Sequence, residues 1–551
     1  MRQKLLFFIA LILGVQLFAQ PYGNEWIDYN QPHFKFEVAI GNEGIHRIES
    51  SLINQYGLNF IDPDNFRLFK DGIEIPIYVK QTNNVADYIE FYASANDGKF
   101  DTWLYKDTAH QAHDRWSLFD NNASYYLTWN ETGGNPRLNN IVNDLSNLPS
   151  PEPYFWYRSE NILNQTFSIG EPTYLSGGGN LTALYNSQFD KGEGFYSNQQ
   201  FNNSSNIVSF NMPTPHAVNN MDAELYTVVV SWSSNEHKYN IKSGSTILSS
   251  HQFNDYKVGK KLDILPASLL NSNTNVSFEA MPSSTGTNRN NPSLIEIKYA
   301  RMFNMDNQNS FVFEIDGNNS RQYLEIENLN DQSTAPLLYD LTNGYRLVSQ
   351  DLPGSNIHRF LLPAASGSRK LVVRADNSNS YVSVSGLTQI AYTNFNEPNN
   401  QGNYILLTGD EFYDSPEVNA YLTHRESFSG GAHHVIKVNV NELYDQFGFG
   451  IDRHPQAIRN FVSYVTDTWN PSPENLFIVG KAREYKDFRN NQTAREQCIV
   501  PTFGNPGSDV LLAADTNSSV PKIAIGRLAA TNTDQIDQYL QKIIQYDNEF
   551  Y

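Results

Sequence analysis

The chain has 551 residues, 40% of them hydrophobic and 13% aromatic, enough to bury several cores and to exclude a disordered protein; the usual domain size suggests roughly three to five domains. Its formal net charge of −20 argues against nucleic acid or an anionic membrane surface as partner. A single cysteine, Cys498, excludes an intrachain disulfide framework, so stability has to come from packed cores.

The first residues read as an address. Arg2 and Lys4 precede an apolar run from Leu5 to Leu13 that continues weakly to Phe18 and Ala19. This is the pattern of a secretory signal peptide over residues 1–19, cleaved after Ala19. The run falls short of the ~20 residues that a membrane span needs, and no later segment reaches that length.

From Trp26 to Trp129 the hydrophobic period is two. Phe34, Phe36 and Val38 alternate with Lys35 and Glu37, and Ile73, Ile75 and Ile77 alternate with Glu74, Pro76 and Tyr78. Residues 20–140 are therefore expected to form a β-rich domain of half-buried strands. Asp71-Gly72 marks a tight turn, and a short helix is expected around Ser51 to Tyr56.

A Pro- and Asn-bearing stretch from Asn139 to Pro153 precedes renewed strand patterns at Leu225–Trp232, Val276–Met281 and Leu294–Met302, so residues 154–312 read as a β-sandwich domain. Gly177-Gly178-Gly179 lacks the Lys-Ser/Thr and helix of a phosphate loop and reads as a turn. Apolar runs from Phe311–Ile315 to Lys370–Val373 predict a small β module over 313–393. Residues 394–402, Asn-rich around Pro398, read as a linker.

After the linker the pattern changes to strands alternating with helices. Tyr404–Leu407 is a buried strand, Asp414-Ser415-Pro416 a helix start, and His434–Val440 the next strand. Ile458, Phe461, Val462, Val465 and Trp469 recur at helical spacing after Asp452. Leu476–Val479, Val510–Ala513 and Ile523–Ile525 read as further strands, and Thr533 opens a last helix with Ile536, Leu540, Ile543 and Ile544 on one face. Alternation of this length predicts right-handed crossovers and a mainly parallel sheet over 403–551.

Three stretches of this region carry a resemblance: Tyr444-Asp445-Gln446-Phe447-Gly448-Phe449-Gly450 leading to His454-Pro455-Gln456-Ala457-Ile458-Arg459-Asn460-Phe461; Leu476-Phe477-Ile478-Val479-Gly480; and Ile523-Ala524-Ile525-Gly526-Arg527-Leu528 with the helix to Tyr546. They resemble the gingipain-type cysteine peptidase family, which includes gingipains and the sortase of the bacterial type IX secretion system. The resemblance implies β-rich modules followed by the first α/β, caspase-like subdomain of such a peptidase, truncated before its catalytic subdomain. It also implies a full-length protein exported by a Gram-negative bacterium to its outer surface or beyond, acting on C-terminal signals of exported proteins alongside other type IX components. Whether the cleaved chain passes to a surface acceptor or to water is left open by the resemblance.

The family's catalytic histidine stands between glycines and its cysteine precedes Asn-Gly. Neither pattern occurs here, so both residues are expected after Tyr551 and this chain alone is expected to be inactive. The residues have plain readings beside the resemblance: Gly448 and Gly450 permit a tight turn between strand and helix, Gly480 ends a strand, and Arg527 pairs with a carboxylate or caps carbonyl groups. Two rivals are a non-catalytic surface module that binds glycan or cargo, and a secreted gingipain-like protease.

Other constellations are weaker. Cys498, followed by Ile499-Val500-Pro501, has no identifiable base, although Arg495 lies near in sequence. His433 and His434, adjacent before a strand, point to opposite faces; His454 reads as a helix-start residue; His110, His113 and Asp114 form a loop cluster with metal-ligand types. The implied chemistry needs no cofactor. Asp62, Asp64 and Asn65, and Asp316 to Asn319, are oxygen-rich places for structural calcium, though turns use the same residues. Trp103, Trp116, Trp129 and Trp156 supply the rings a sugar platform would need, and core packing uses such rings equally.

Overall fold

The computed structural model describes residues 21–177, 180–202, 206–283, 286–332, 334–351 and 356–550. Residues 1–19, where a signal peptide is expected, and Gly178 and Gly179 lie outside them. The amino-terminal unit is a sandwich of two sheets. One runs Thr388–Ile390, His33–Val38, Ala123–Trp129, Phe66–Lys70, Ile73–Ile75; the other runs Val382–Ser383, Gly44–Glu49, Val85–Ala93, Ile77–Thr82. Phe34, Phe36 and Val38 alternate inward, against Phe66, Leu68, Ile89 and Phe91, as a two-residue period requires.

The run Ile73, Ile75, Ile77 is not one strand. Ile73–Ile75 pairs with Phe66–Lys70, whereas Ile77–Thr82 pairs with Val85–Ala93 in the facing sheet. Pro76 stands at the switch, where a residue without an N–H ends one ladder. Strands Val382–Ser383 and Thr388–Ile390 pair within this unit, so they do not belong with the 313–381 segment.

The middle of the chain is one nine-stranded sheet, in the order Lys257–Leu265, Ala223–Ser231, Asn290–Arg301, Phe155–Ile162, Ser310–Asn318, Ser366–Arg374, Leu337–Asp340, Tyr345–Val348, Asn139–Asn140. A four-stranded sheet packs on one half around Phe201, Val229, Ile241 and Phe278, and another packs on the other half around Phe313, Leu324, Ile326 and Phe360. The boundary expected at 312/313 falls inside strand Ser310–Asn318. Phe155–Ile162 pairs with the strands on both sides of it, which makes the two sandwiches continuous.

The carboxy-terminal unit has four parallel strands: a first at Tyr404–Thr408, a second at Val435–Asn439, a third at Asn475–Val479 and a fourth at Ala524–Leu528, ordered second, first, third, fourth. Helix Pro416–Glu426 starts at Ser415, whose hydroxyl accepts from Val418 N–H. Asn439 ends the second strand and caps helix Val440–Phe447. Gly448 and Gly450 therefore turn the chain between two helices, not between strand and helix. Gly450, at φ +78, lies so close to the amino-terminal sandwich that a Cβ would sit 2.3 Å from Tyr126 Oη.

Val510–Ala513 is a 3₁₀ turn rather than a strand. Asp509, at its start, is held by Arg527, and its Leu511 carbonyl accepts from Arg459. The stretch 394–402 is anchored: Phe395 packs on Phe461 and Trp469, and its carbonyl accepts the Trp469 indole N–H at 2.8 Å. Helix Pro455–Thr468 is buried along most of its length because one apolar core runs from the parallel sheet into the amino-terminal unit, through Trp26, Phe100, Phe119, Phe189 and Phe447. Among the described residues no helix is long and apolar enough to cross a membrane.

Candidate functional site

In a parallel sheet, ligands gather beyond the carboxyl ends of the strands, where the strand order reverses direction. Here that point lies between the first and third strands. Thr408 Oγ1 donates to the Val479 carbonyl at 2.8 Å across it. Gly409 and Gly480 (φ +138) follow the two strands, and Ile499 fills the space between them: a Cβ would lie 3.0 Å from Ile499 Cγ2 at Gly409 and 2.7 Å at Gly480. Ile499 is held by its N–H on the Lys481 carbonyl at 2.9 Å.

Arg527 on the fourth strand binds this loop down. Its guanidinium forms a bidentate pair with Asp509, both bonds 2.7 Å, and donates to the carbonyls of Gly480, Val500 and Pro501 at 2.8–2.9 Å. It thus does both things that its position suggests: it pairs with a carboxylate and satisfies carbonyls at the strand ends. A planar fork with five donors can do this where a lysine cannot.

Cys498 lies directly behind Ile499. It is buried, its nearest acceptor is the Arg483 carbonyl at 3.8 Å from Sγ, and burial pushes the thiol up from its ordinary pKa despite Arg453 and Arg527 nearby. A nucleophile needs a thiolate and a base within hydrogen-bond reach, and Cys498 has neither arrangement. The crevice is a packed shelf, made by glycines, Ile499 and the Arg527 clamp.

The fourth strand forms an edge. It pairs with the third on one side, and among the described residues no strand pairs with its other side. Gly526 has open space where a Cβ would stand.

The histidines do separate work. His454 caps helix Pro455–Thr468 by accepting from Gln456 N–H, and its Nε2 meets Asp101 at 3.1 Å, both side chains fully buried. His434 is exposed while His433 packs against the Tyr404 ring. His110 lies 3.2 Å from Asp190. His113 is buried with Nε2 on the Phe195 carbonyl at 2.7 Å, and burial lowers its pKa to about 4. Asp114 pairs with Arg115 instead.

The oxygen-rich clusters make turn bonds: Asp62 accepts from Asp64 N–H, Asn318 from Ser320 N–H, and Asp316 from the Trp156 indole at 2.7 Å. Trp116 is buried under the Arg489 guanidinium at 3.9 Å, Trp129 stacks on Phe34, and Trp103 is 37% exposed. No two of the four tryptophan rings pack together among the described residues.

Residues 397–550 match the model of Peptidase family C25. A comparison with curated proteins gives no match. Among solved structures, the crystal structure of dimeric latent PorU from Porphyromonas gingivalis matches with a TM-score of 0.57 at 13% identity, covering 96% of this chain and 51% of that one. The PorU-like fold thus extends from the β-rich units into the parallel sheet, and the chain spans about half the length of the structure it matches. The CBM36-1 domain of a multidomain xylanase from the hindgut metagenome of Trinervitermes trinervoides (TM-score 0.15, 10% identity, 25% of this chain and 95% of that one) is similar only at a level that carries no argument. The same holds for a β-porphyranase of glycoside hydrolase family 86 from Bacteroides plebeius (TM-score 0.15, 10% identity, 49% and 35%).

Proposed function

We propose that this chain, whose residues 397–550 are a Peptidase family C25 segment, is the amino-terminal part of an exported cysteine peptidase of the gingipain type. We further assign it to the sortase branch that serves type IX secretion. The observation that carries the reading is the joint one: the family segment shares a single apolar core with β-rich units, and that whole arrangement has a PorU-like fold over 96% of the chain.

In this reading the full protein is delivered to the outer surface of a Gram-negative bacterium and removes C-terminal signals from exported proteins. A cysteine thiolate attacks the scissile carbonyl, a histidine moves the proton to the leaving amine, and the resulting thioester passes to a surface amine or to water. Both groups lie in the portion corresponding to the rest of the PorU chain. The present residues supply the scaffold: the open edge of the fourth strand offers its backbone N–H and C=O groups to a further strand, and the Arg527 clamp fixes the crevice beside it.

The test is a protein extended past Tyr551, incubated with an exported substrate bearing its C-terminal signal and, separately, with casein. Release of the signal without general casein hydrolysis, abolished by alkylating a cysteine downstream of Tyr551, supports the sortase reading. Casein hydrolysis favours a gingipain-like protease. A downstream sequence without a glycine-flanked histidine and a Cys-Asn-Gly motif overturns both.

A further inference from the structure

Three neighbouring strands of the sheet Asn304–Gln308, Gln322–Leu329, Ile357–Leu362, Gln350–Asp351 bring together Asp331, Asp351 and His358. Asp351 and His358 are direct partners across an antiparallel pair, and Asp331 follows the strand on the other side of His358. This group joins no part of the peptidase segment and was not apparent in the sequence. Its signal there is an aspartate and a histidine seven residues apart.

His358 is 3% exposed. Its Nδ1 is 2.9 Å from Asp351 Oδ1, and its Nε2 is 3.7 Å from Asp331 Oδ2. One ligand atom from each residue can be chosen so that all lie within 4.8 Å of one another. An ion between them is therefore within about 3 Å of each and reaches the ~2.0–2.2 Å of zinc bonds by small side-chain rotations. The surroundings already orient the ligands: Ser349 Oγ donates to Asp351 Oδ1 at 2.9 Å, and the Asp331 carbonyl accepts from Thr334 N–H and Oγ1 at 3.1 and 2.6 Å.

We propose that Asp331, Asp351 and His358 form a binding site for a divalent first-row transition ion, zinc among the common ones. An imidazole with two carboxylates suits such an ion, whereas calcium takes six to eight oxygens and no imidazole. Asp351 is solvent-exposed, so water completes the coordination and the ion exchanges with solvent. Bound there, it ties the short edge strand Gln350–Asp351 to the turn after Gln322–Leu329.

The chain is stripped with a chelator, desalted and titrated with zinc by equilibrium dialysis, with bound metal counted by mass spectrometry and thermal stability followed in parallel. The wild type is expected to take up about one equivalent and to melt at a higher temperature. His358→Gln and Asp351→Asn are each expected to weaken binding at least tenfold. His216→Gln, at a two-membered His–Asp pair elsewhere, should leave that equivalent intact. If His358→Gln fails to fold, Asp351→Asn on the exposed edge strand decides. Absence of stoichiometric zinc in the wild type, or equal affinity in a folded site variant, overturns the proposal and leaves a histidine paired with two carboxylates.

Discussion

The amino-terminal sandwich is held to its two neighbours by unlike chemistry. Against the nine-stranded sheet it presents a buried carboxylate beside a small apolar patch of Ile45 on Leu337 and Val372: Glu90, fully buried and paired within its own sandwich with Arg47 at 2.7 Å, meets Arg374 at 2.6 Å and accepts from Tyr339 Oη at 2.7 Å, with Arg346 at 3.8 Å. Against the parallel-sheet unit it presents rings: Phe100 and Phe119 pack on His454 at 4.6 and 4.3 Å, inside an apolar core that continues for dozens of residues. The first junction sets a few charged atoms that must stay matched beside a small apolar patch. The second spreads its free energy over apolar area, at about 25 cal/mol per Å² buried, and tolerates single losses better.

Glu90→Gln is the sharpest way to break this comparison. It leaves three guanidinium groups without their shared counter-charge and should cost about 3–5 kcal/mol at neutral pH in urea denaturation. Burial alone would raise the Glu90 pKa, but Arg374 and Arg47 outweigh it and hold the carboxyl below its ordinary range. Its stabilising contribution is therefore complete above the ordinary value of about 4.3 and is lost as pH falls through the lower folded value. The gap between wild type and variant should narrow on strong acidification. A neutral-pH cost of about 1 kcal/mol or less, the range of an exposed pair, would remove the contrast.

At the second junction His454→Ala removes a helix cap and the partner of buried Asp101. We expect about 2–4 kcal/mol, because Asp101 keeps its bonds from Leu118 N–H and Ser117 Oγ. His454→Asn, which can still cap, should recover about 1 kcal/mol of this. If His454→Ala proves as costly as Glu90→Gln, the junctions are alike after all.

Glu193, on strand Glu193–Tyr196 of the middle segment, tests a different contact with the parallel-sheet unit, and with the opposite pH sign. It is buried, accepts from Tyr485 Oη at 2.6 Å, and has Oε2 without a partner. Burial pushes its pKa well above the carboxylate range, against the lowering effect of the Tyr485 bond. The folded state holds the proton more tightly, so stability is complete below about pH 4.3 and is lost as pH rises toward the folded value. Glu193→Gln should therefore raise Tm at pH 8 and give little gain near pH 4. A gain that does not depend on pH would show that the carboxyl is not proton-linked to folding.

Much of this architecture was legible because period-two alternation and helical spacing are local signals. Phe34, Phe36 and Val38 face inward as read, and the four apolar strands at 404, 435, 475 and 524 pair in parallel. What pairs with what is not local: Pro76 hides a switch between sheets, and strand Ser310–Asn318 joins two sandwiches that composition separates. Val510–Ala513 misled because a short apolar run fits a strand or a tight helix equally, and its bonds to Arg527 and Arg459 come from distant sequence. Asn439 followed by Glu442 is an N-cap signature that would have revealed helix Val440–Phe447. The Arg527 clamp was legible as a possibility, its four partners only from the fold.

Cys498 is the smallest test and bears on the site itself. Set behind Ile499 with a raised pKa, it should react with a thiol reagent at a rate set by unfolding, not by its own acidity. Cys498→Ala should cost about 1 kcal/mol for the lost sulfur packing. In a protein extended past Tyr551 it should leave signal release unchanged. A crevice-facing nucleophile would behave otherwise on both counts: fast labelling of the folded chain and loss of cleavage on substitution. Either result would place a reacting centre at Cys498, and the packed shelf formed by Gly409, Gly480 and Ile499 would then have to open for substrate to reach it.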